Sequence, residues 1–470
     1  MRATIAPSSP LICLLVLFGI IKATEGDSDV QSYPSTITSQ YCIIGGGSSG
    51  TYAAVRLQQL GRTVTLIEKE SRLGGHVNTY SDPVTGDSFD YGVITFDNIS
   101  VVTDYFDYLD VPLAPLTYSS ATIFIDFANG SIVPDASLPQ GNSTAAFIKY
   151  IDLVDDEYSY LPNGFNLPSP VPEDLLMTWG DFLEKYDLGD LAFTAFTFLE
   201  GVGNILAQPT LYILKYLAKV TVENILGENT FLSTAHQSNQ ELYNKALAKL
   251  GTNALISSNV THVARDEDGV NVFVSSPVGR KLVHCSKLLI AIPPTIDNLK
   301  FLDLHLEEEA LFGQFNHSYY WDGVIRNSGI PDSVSLQNVD LAAPYAIPPM
   351  PGIYAISSAG LPNLATVYHT SPYTLSDEEV KAEILATTAR LVKSLGYPQA
   401  NGTMELVGFN NHAPFELTVS TDSVRNGFYT KMNELQGKRN TFWTGAAWQA
   451  QDSSQIWNWT EHTLLPQLLL

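Results

Sequence analysis

A short apolar run that ends in a glycine cluster constrains this chain more than any other feature. Residues 41–44 predict a buried strand, and the Ala-rich stretch after Gly50 has the spacing of a helix up to Leu60. A second apolar run, residues 63–67, ends at Glu68. Strand, glycines, helix, strand and terminal acid in this order predict a βαβ unit that binds a dinucleotide.

The glycines have G-x-G-x-x-G spacing, at Gly45, Gly47 and Gly50. The first allows a tight turn, the second lets the backbone approach a pyrophosphate, and the third lets the helix pack closely on the strand. The helix start at Ser49 then presents free N–H groups and the positive end of a dipole to the phosphates. Glu68 can accept hydrogen bonds from a ribose. We therefore predict that these five residues contact the cofactor.

A second glycine pair follows the acid, because residues 68–79 read Glu-Lys-Glu-Ser-Arg-Leu-Gly-Gly-His-Val-Asn-Thr. This segment resembles the second glycine motif of the FAD-dependent amine oxidase superfamily, in which an acid is followed by a short loop and Leu-Gly-Gly-Arg. Residues 43–56 also resemble the opening of fungal flavoenzymes of secondary metabolism. The resemblance implies that the cofactor is FAD and that Gly74 and Gly75 run beside its pyrophosphate and ribityl chain.

The chain departs from that superfamily at His76, where an arginine is usual. Arginine is permanently charged and offers a fork to phosphate, whereas histidine does neither reliably. Three roles stay open for His76. It is a weaker pyrophosphate ligand, a polar group beside the flavin, or the attachment point of a covalently bound flavin.

Two further segments resemble cofactor-binding parts of the superfamily. Residues 441–448 predict a strand that runs into a turn at Gly445, and a helical pattern follows over residues 455–469. The resemblance implies that this turn touches the FAD phosphates and that the last helix points its N-terminus at the flavin. Residues 253–263 resemble the second FAD-binding segment, in which the residue at Val260 contacts the adenine through its backbone.

The fold class that these resemblances imply is α/β. We expect a Rossmann-like FAD-binding domain of the glutathione-reductase type, formed by residues 39–98, 235–295 and 425–470. Residues 99–234 and 296–424 are then two insertions that form a mixed α+β substrate domain.

The first residues predict a targeting segment. Arg2 gives a positive start, and residues 11–21 form an apolar run that is short for a bilayer span. We interpret residues 1–24 as a signal peptide, with an uncleaved anchor as the alternative, and residues 25–38 as a disordered lead-in. The expected location is therefore the secretory lumen or the outside of the cell, with no stable membrane span. Asn-x-Ser/Thr sequons, which suit that route, occur at Asn98, Asn129, Asn142, Asn259, Asn316, Asn401 and Asn458.

Charge and cysteine content narrow the partners. The formal net charge of −24 over 470 residues disfavours nucleic acid and anionic membranes as partners. After the leader, the remaining cysteines are Cys42 and Cys285, both in apolar runs. Buried free thiols are the default expectation, and a bridge between neighbouring strands is the alternative. The cysteine count excludes a disulfide scaffold, the histidine spacing predicts no metal site, and the oligomeric state stays open.

Few residues are candidates for catalysis. His412 lies in a polar loop before the chain returns to the FAD domain, and its imidazole titrates in a useful range. His317 lies where many amine oxidases carry a lysine near the flavin, so His317 and Tyr320 are candidate substitutes. Trp448 and Trp457 flank the flavin position that the resemblance implies, and we expect them to be active-site walls. Structural or core roles are the alternatives for these residues.

The resemblance implies an FAD-dependent oxidoreductase that oxidises a bulky, largely apolar small molecule by hydride transfer to flavin N5. An amine or alkaloid-like secondary metabolite would suit the aromatic residues of the first insertion. Oxygen or another acceptor would reoxidise the flavin, and oxidative cyclisation is one form of the reaction. An FAD-dependent isomerase without net redox turnover and a secreted FAD-containing binding protein remain alternatives.

Overall fold

In the computed structural model, the described residues are 35–117, 120–139, 141–199, 201–398 and 401–470. The predicted signal peptide, residues 1–24, lies outside them. The predicted lead-in, residues 25–38, needs a correction at its end, because a strand that pairs with residues 281–290 already begins at Ser35. No helix within the described ranges is long and apolar enough to cross a membrane.

Two large sheets and a set of short helices make up the described chain. The strands are β1 (Ser35–Ile44), β2 (Val64–Ile67), β3 (Thr79–Ser81), β4 (Ser88–Asp90), β5 (Leu113–Pro115), β6 (Ala121–Asp126), β7 (Ser131–Ile132), β8 (Leu232–Thr234), β9 (Ala254–Leu255), β10 (Asn259–Asp266), β11 (Gly269–Ser276), β12 (Gly279–Ile290), β13 (Asn316–His317), β14 (Tyr319–Arg326), β15 (Val334–Asn338), β16 (Gly352–Ser358), β17 (Leu364–Ser371), β18 (Glu405–Asn411), β19 (Leu417–Thr418) and β20 (Thr441–Trp443). The α-helices are α1 (Ser48–Gln59), α2 (Ser100–Tyr108), α3 (Ser143–Glu157), α4 (Glu173–Leu176), α5 (Trp179–Lys185), α6 (Ala192–Phe198), α7 (Thr210–Tyr216), α8 (Lys219–Leu226), α9 (Gln240–Leu250), α10 (Leu306–Phe312), α11 (Asp377–Ser394), α12 (Thr421–Arg425), α13 (Phe428–Asn433), α14 (Ser453–Trp459) and α15 (Leu465–Leu468). A π-helical turn, Thr460–Leu464, joins the last two helices.

The first sheet contains the predicted βαβ unit. Its strand order is β10-β11-β12-β1-β2-β9, and β20 pairs with the last residues of β12. Pairing is parallel from β20 through β12, β1 and β2 to β9. On its other side β12 pairs with β11, and β10, β11 and β12 form an antiparallel ribbon. The chain runs from β1 through α1 to β2, as the glycine pattern predicts.

Close packing of α1 on β1 explains the third glycine of the motif. A Cβ atom on Gly50 would lie 1.9 Å from the carbonyl oxygen of Gly45, which no side chain could tolerate. The last residues of β1, Cys42–Ile44, are buried, as expected for a parallel strand that is covered on both faces. The helix start is therefore held directly at the carboxyl end of β1.

The second sheet draws its strands from two distant segments. Its order is β18-β14-β17-β16-β15-β6-β7, so residues 121–132 join strands from residues 319–411. One face of β14 packs through Trp321 and Ile325 in the same core as buried residues of α11. The helix α11 begins with the predicted capping box, in which Ser376 and Glu379 satisfy each other's backbone N–H groups. The opposite face of the sheet is therefore the one that meets the rest of the molecule.

The two cysteines form a disulfide. Cys42 of β1 and Cys285 of β12 are joined, with their Cα atoms 5.8 Å apart. The default expectation of free thiols is therefore wrong. The two strands lie far apart in sequence and are neighbours in the sheet through parallel pairing.

Candidate active site

The two glycine loops lie against each other at the start of α1. Gly74 donates its N–H to the Gly46 carbonyl oxygen at 2.8 Å, and Gly74 and Gly47 form an isolated parallel β-bridge. A Cβ on Gly75 would lie 3.0 Å from the Cα of Gly47, and both Gly74 and Gly75 have positive φ. No side chain caps α1, so its first N–H groups face the loops. This bare, electropositive cradle fits the pyrophosphate of a dinucleotide.

The acid at the end of β2 marks the nucleoside end of this cradle. The Glu68 carboxylate accepts the N–H of Gly46 at 2.5 Å and that of Glu70 at 2.7 Å. The N–H of Ser258 donates to the Glu68 carbonyl oxygen at 2.8 Å, which brings the segment that contains Val260 beside the acid. The arrangement fits a ribose at Glu68 and an adenine at the Val260 segment.

The C-terminal turn closes on the same helix start. Gly445 has a φ of +107°, and a Cβ there would lie 3.6 Å from the hydroxyl oxygen of Ser49. The Ser48 hydroxyl donates to the Ser453 hydroxyl at 2.8 Å, and Ser453 is the first residue of α14. The last helical segment therefore begins two residues earlier than the sequence pattern predicts, and it begins beside the cradle.

The two tryptophans that we expected as active-site walls are core residues. Trp457 is fully buried, stacks on Tyr52 and Phe96 at 5.6 and 5.5 Å, and donates its indole N–H to the Ser48 carbonyl oxygen. Trp448 is also buried and stacks on Trp443 at 5.9 Å. Both indoles are enclosed by protein on the inner side of the C-terminal segment, which favours the alternative of core packing, and their role as active-site walls stays a prediction.

The structure brings His412 and Tyr320 together and adds an acid. The His412 Nε2 lies 2.7 Å from an Asp322 carboxylate oxygen, and the Tyr320 ring stacks on His412 at 5.3 Å. Asp322 pairs with Asn410 across the β14–β18 ladder. His412, two residues further on, therefore falls on the same face as Asp322.

His317 lies on the other face. Its ring packs 4.6 Å from that of Tyr319, which stacks on Trp321 and bonds the Thr374 hydroxyl at 2.5 Å. Side chains alternate between the faces of a strand, so this group is turned away from Tyr320. This placement favours the structural alternative for His317, and its catalytic role stays a prediction.

His76 contacts the predicted catalytic histidine. Its ring lies edge-on to His412 at 4.5 Å and nearly parallel to Phe415 at 6.0 Å. Burial among protein atoms, reinforced by His412 and by the Arg72 charge, lowers the pKa of His76 to about 3. A neutral imidazole supplies no charge to a pyrophosphate, so the structure favours the interpretation of His76 as a polar group beside the flavin.

Sequence reasoning missed a polar network around Asp322. Asn410 and Asn78 donate side-chain N–H groups to the two Asp322 oxygens at 2.8 and 3.3 Å. Arg72 in turn donates to the Asn78 side-chain oxygen at 2.8 Å and to the Val77 carbonyl oxygen at 2.8 Å. An acid inside an apolar strand, at Asp322, was the available signal.

Another buried acid lies near the start of α14. Asp97 accepts side-chain N–H groups from Asn224 and Gln455, each at 2.8 Å, and its own N–H donates to the Ser454 hydroxyl. Burial, reinforced by the nearby Asp452 carboxylate, raises the pKa of Asp97 to about 8. The Asp97 carboxyl therefore keeps its proton to a higher pH than an exposed aspartic acid does.

The fold and the cradle define a protein that binds a dinucleotide through a Rossmann-like unit, and comparisons with known proteins agree. Residues 43–109 match the family described as an NAD(P)-binding Rossmann-like domain. The FAD-dependent oxidoreductase oblC of Cochliobolus heterostrophus is 39% identical over 92% of both chains. β-Cyclopiazonate dehydrogenase of Aspergillus oryzae is 33% identical over 91% of this chain and 93% of that one. The chain therefore belongs to this family of fungal FAD-dependent oxidoreductases, and FAD is its cofactor.

Solved structures extend the likeness of fold. A fatty acid isomerase from P. acnes that produces CLA superposes with a TM-score of 0.76 at 20% identity, over 92% of this chain and 99% of that one. A triple mutant of putrescine oxidase gives a TM-score of 0.66 at 16% identity, over the same shares. At these identities the likeness concerns the fold alone, which isomerases and oxidases share.

Proposed function

We propose that this enzyme oxidises a bulky, largely apolar small molecule, such as an amine or alkaloid-like secondary metabolite. The observation that carries the proposal is a cluster of aromatic side chains beside the cradle, each of which is buried but keeps a small exposed fraction. Phe415 packs on Tyr320 at 4.9 Å, the Tyr354 hydroxyl lies 3.4 Å from that of Tyr320, and Phe196 packs on Tyr354 at 6.1 Å. Aromatic side chains in such a cluster would pack on an apolar ring system and exclude water from it.

Bound FAD would supply the two-electron acceptor, with hydride transfer to flavin N5, and oxygen or another acceptor would restore it. The residues that would hold it are Gly45, Gly47, Ser49, Gly50, Glu68, Gly74, Gly75, Val260 and Gly445. His76, His412 and Tyr320 would then face the substrate, and His76 is a contact rather than a point of attachment. Where the oxidised product carries a nucleophile within reach, oxidative cyclisation follows. The name of one relative, β-cyclopiazonate dehydrogenase, supports a dehydrogenation.

We also propose the domain division expected from the sequence. Residues 39–98, 235–295 and 425–470 form an FAD domain of the glutathione-reductase type, and residues 99–234 and 296–424 are the insertions that form the substrate domain. Support comes from the two sheets, since the second takes its strands from both insertions. A secretory location is supported by the Cys42–Cys285 disulfide, which persists in oxidising compartments.

Anaerobic mixing of the FAD-bound enzyme with a matched panel of substrates tests the proposal. The panel holds the oxidised amine constant and varies the apolar ring system attached to it, from none to a fused aromatic system. We expect the flavin absorbance to bleach fastest with the bulky members. Equal bleaching by small polar diamines would contradict the proposal. Conversion of a substrate without bleaching or acceptor would instead identify an isomerase, and the absence of bleaching and of conversion with every member would favour a binding protein.

A further inference from the structure

Asp322 is a fully buried carboxylate that is held as an acceptor. It has no exposed surface, and its oxygens receive N–H groups from Asn410 and Asn78 and contact His412. A buried carboxylate persists as an anion only where hydrogen bonds replace its lost hydration. Asn410 lies in β18, His412 lies in the turn after it, and Asn78 lies in the loop that contains Gly74 and Gly75, which we call the cofactor loop.

This carboxylate fixes the tautomer of His412. Because an ionised Asp322 only accepts hydrogen bonds, the imidazole proton must sit on Nε2, 2.7 Å away. The other ring nitrogen, Nδ1, then carries the lone pair. Within the ranges that the structure describes, Nδ1 of His412 has no hydrogen-bond partner. His412 keeps 4% of its residue surface exposed, whereas Asp322 keeps none.

His412 and Asp322 both contact residues of the cofactor loop. His76, which packs on His412, directly follows Gly75, and Gly75 lies against Gly47 in the cradle. Asn78 of the same loop donates a side-chain N–H to Asp322, and its side-chain oxygen accepts a hydrogen bond from Arg72. The titratable and charged groups around the pair are therefore the neutral His76 imidazole, the phenols of Tyr320 and Tyr91 and, at one residue's remove, the Arg72 guanidinium.

We infer that His412 is the base that removes a proton from the substrate through Nδ1, and that Asp322 is the positioning residue that makes this nitrogen basic. The inference rests on the proposed oxidation and names its substrate class: the oxidised carbon carries an N–H or O–H group. The proton of that group moves to Nδ1, and the electron pair of the broken N–H or O–H bond forms the new double bond to carbon. The C–H hydrogen leaves with its electron pair to the bound FAD, so the substrate loses two electrons and the cofactor gains two.

A matched control stands on the opposite face of the same two strands. Asp377 accepts the indole N–H of Trp321 at 3.0 Å and a side-chain N–H of Asn411 at 2.8 Å. Trp321 and Asn411 are the immediate neighbours of Asp322 and Asn410 in the ladder. Asp377→Asn therefore disturbs the same part of the sheet without touching His412.

The first test is a ¹⁵N NMR spectrum of histidine-labelled, FAD-bound enzyme, with His412→Gln used to assign the signal. The inference predicts a proton on Nε2 of His412 and a bare Nδ1 at neutral pH. In Asp322→Asn the side-chain amide donates to Nε2 and the proton moves to Nδ1, whereas Asp377→Asn retains the wild-type signal. A proton on Nδ1 in the wild type would overturn the inference. This readout needs no substrate and, apart from the assignment with His412→Gln, no variant.

The second test is turnover against pH for the same variants. General-base catalysis contributes about 10²- to 10⁴-fold, so Asp322→Asn should lower kcat by that order with KM changed less than about threefold. The acidic limb of the kcat profile should vanish with it, while FAD content and the Asp377→Asn profile stay as in the wild type. Wild-type kcat in Asp322→Asn, or a lower kcat with an unchanged acidic limb, would overturn the inference.

The two proposals fail in distinguishable ways. If no member of the substrate panel bleaches the wild-type flavin but the tautomer is as predicted, the proposed oxidation fails and the positioning of His412 by Asp322 stands. If the bulky substrates bleach the flavin and substrates with the N–H or O–H blocked by methylation react equally fast, the oxidation stands and the base is refuted.

Discussion

Gly47→Ala separates cofactor binding from folding. Gly47 has a φ of −69° and a ψ of −170°, an extended conformation that alanine adopts without strain. A Cβ there would meet one heavy atom within 4 Å, the Cα of Gly75 at 3.9 Å, which is an ordinary contact. The methyl group would instead project between the two glycine loops, where the pyrophosphate has to approach the backbone.

The expected loss of affinity follows from the contacts that the methyl group prevents. Hydrogen bonds to charged groups contribute about 1.5–3 kcal/mol each, so the loss of two between α1 and the pyrophosphate costs about 3–6 kcal/mol. That corresponds to an increase in the Kd for FAD of about 10²- to 10⁴-fold. The free energy of unfolding of the flavin-free protein should stay constant or rise by up to about 1 kcal/mol, as for other glycine-to-alanine changes at compatible sites.

Fluorescence titration of flavin-free protein with FAD measures the first quantity, and urea unfolding of the same protein measures the second. Gly352→Ala is the control, because a Cβ at Gly352 would meet no heavy atom within 4 Å and the residue lies in β16 of the second sheet. It should change neither quantity beyond about 0.5 kcal/mol. Wild-type affinity in Gly47→Ala, or a large loss of its folding stability, would refute the placement of the pyrophosphate.

Three further predictions concern stability. Gly50→Ala places a Cβ 1.9 Å from the Gly45 carbonyl oxygen, so urea unfolding of the flavin-free protein should show a loss of more than about 3 kcal/mol. The pKa of Asp97 is raised to about 8, so the folded protein binds a proton that the unfolded chain releases near pH 4, and this stabilisation is lost as pH rises from about 4 to about 8. Asp97→Asn should flatten that decline by a few kcal/mol in unfolding series at several pH values, and an unchanged slope would contradict the burial argument. Reduction of the Cys42–Cys285 bridge should lower the free energy of unfolding by about 2–5 kcal/mol, measured in urea with and without a thiol reductant.

Local sequence was sufficient for the cradle. The turn at Gly45, the helix start at Ser49 and the acid at Glu68 lie within one βαβ unit, so their relation depends on a few adjacent elements. The second loop, Gly74 and Gly75, was found by resemblance, and its contact with the first follows from the short connection after β2. The glycine positions were predictable because each one answers a steric demand at a single point of the backbone.

The catalytic side depends on strand pairing that the sequence does not specify. β14 and β18 are adjacent in the sheet although the chain forms three other strands and a long helix between them. That pairing decides that His412 meets Asp322, and strand alternation decides that Tyr320 faces His412 and His317 does not. The residue types were visible in the sequence, whereas their faces and partners were not.

Core aromatics and cysteines show the same limit. Trp457 and Trp448 lie in the segment that the sequence places beside the flavin, but both indoles are enclosed by protein and pack in the core. Cys42 and Cys285 are both fully buried in strands, which suits a free thiol as well as a disulfide. The pairing of β1 with β12 makes the disulfide possible, and this pairing is a property of the tertiary structure.

The most direct test of the account is the visible spectrum of the purified protein before and after precipitation with acid. The account predicts about one FAD for each folded chain, and it predicts that the flavin is released into the supernatant, since we propose that His76, which contacts His412, is a polar neighbour of the flavin and not a covalent link. A yellow precipitate would contradict the role given to His76. Folded protein that carries no flavin and takes up none when FAD is added would contradict the central claim.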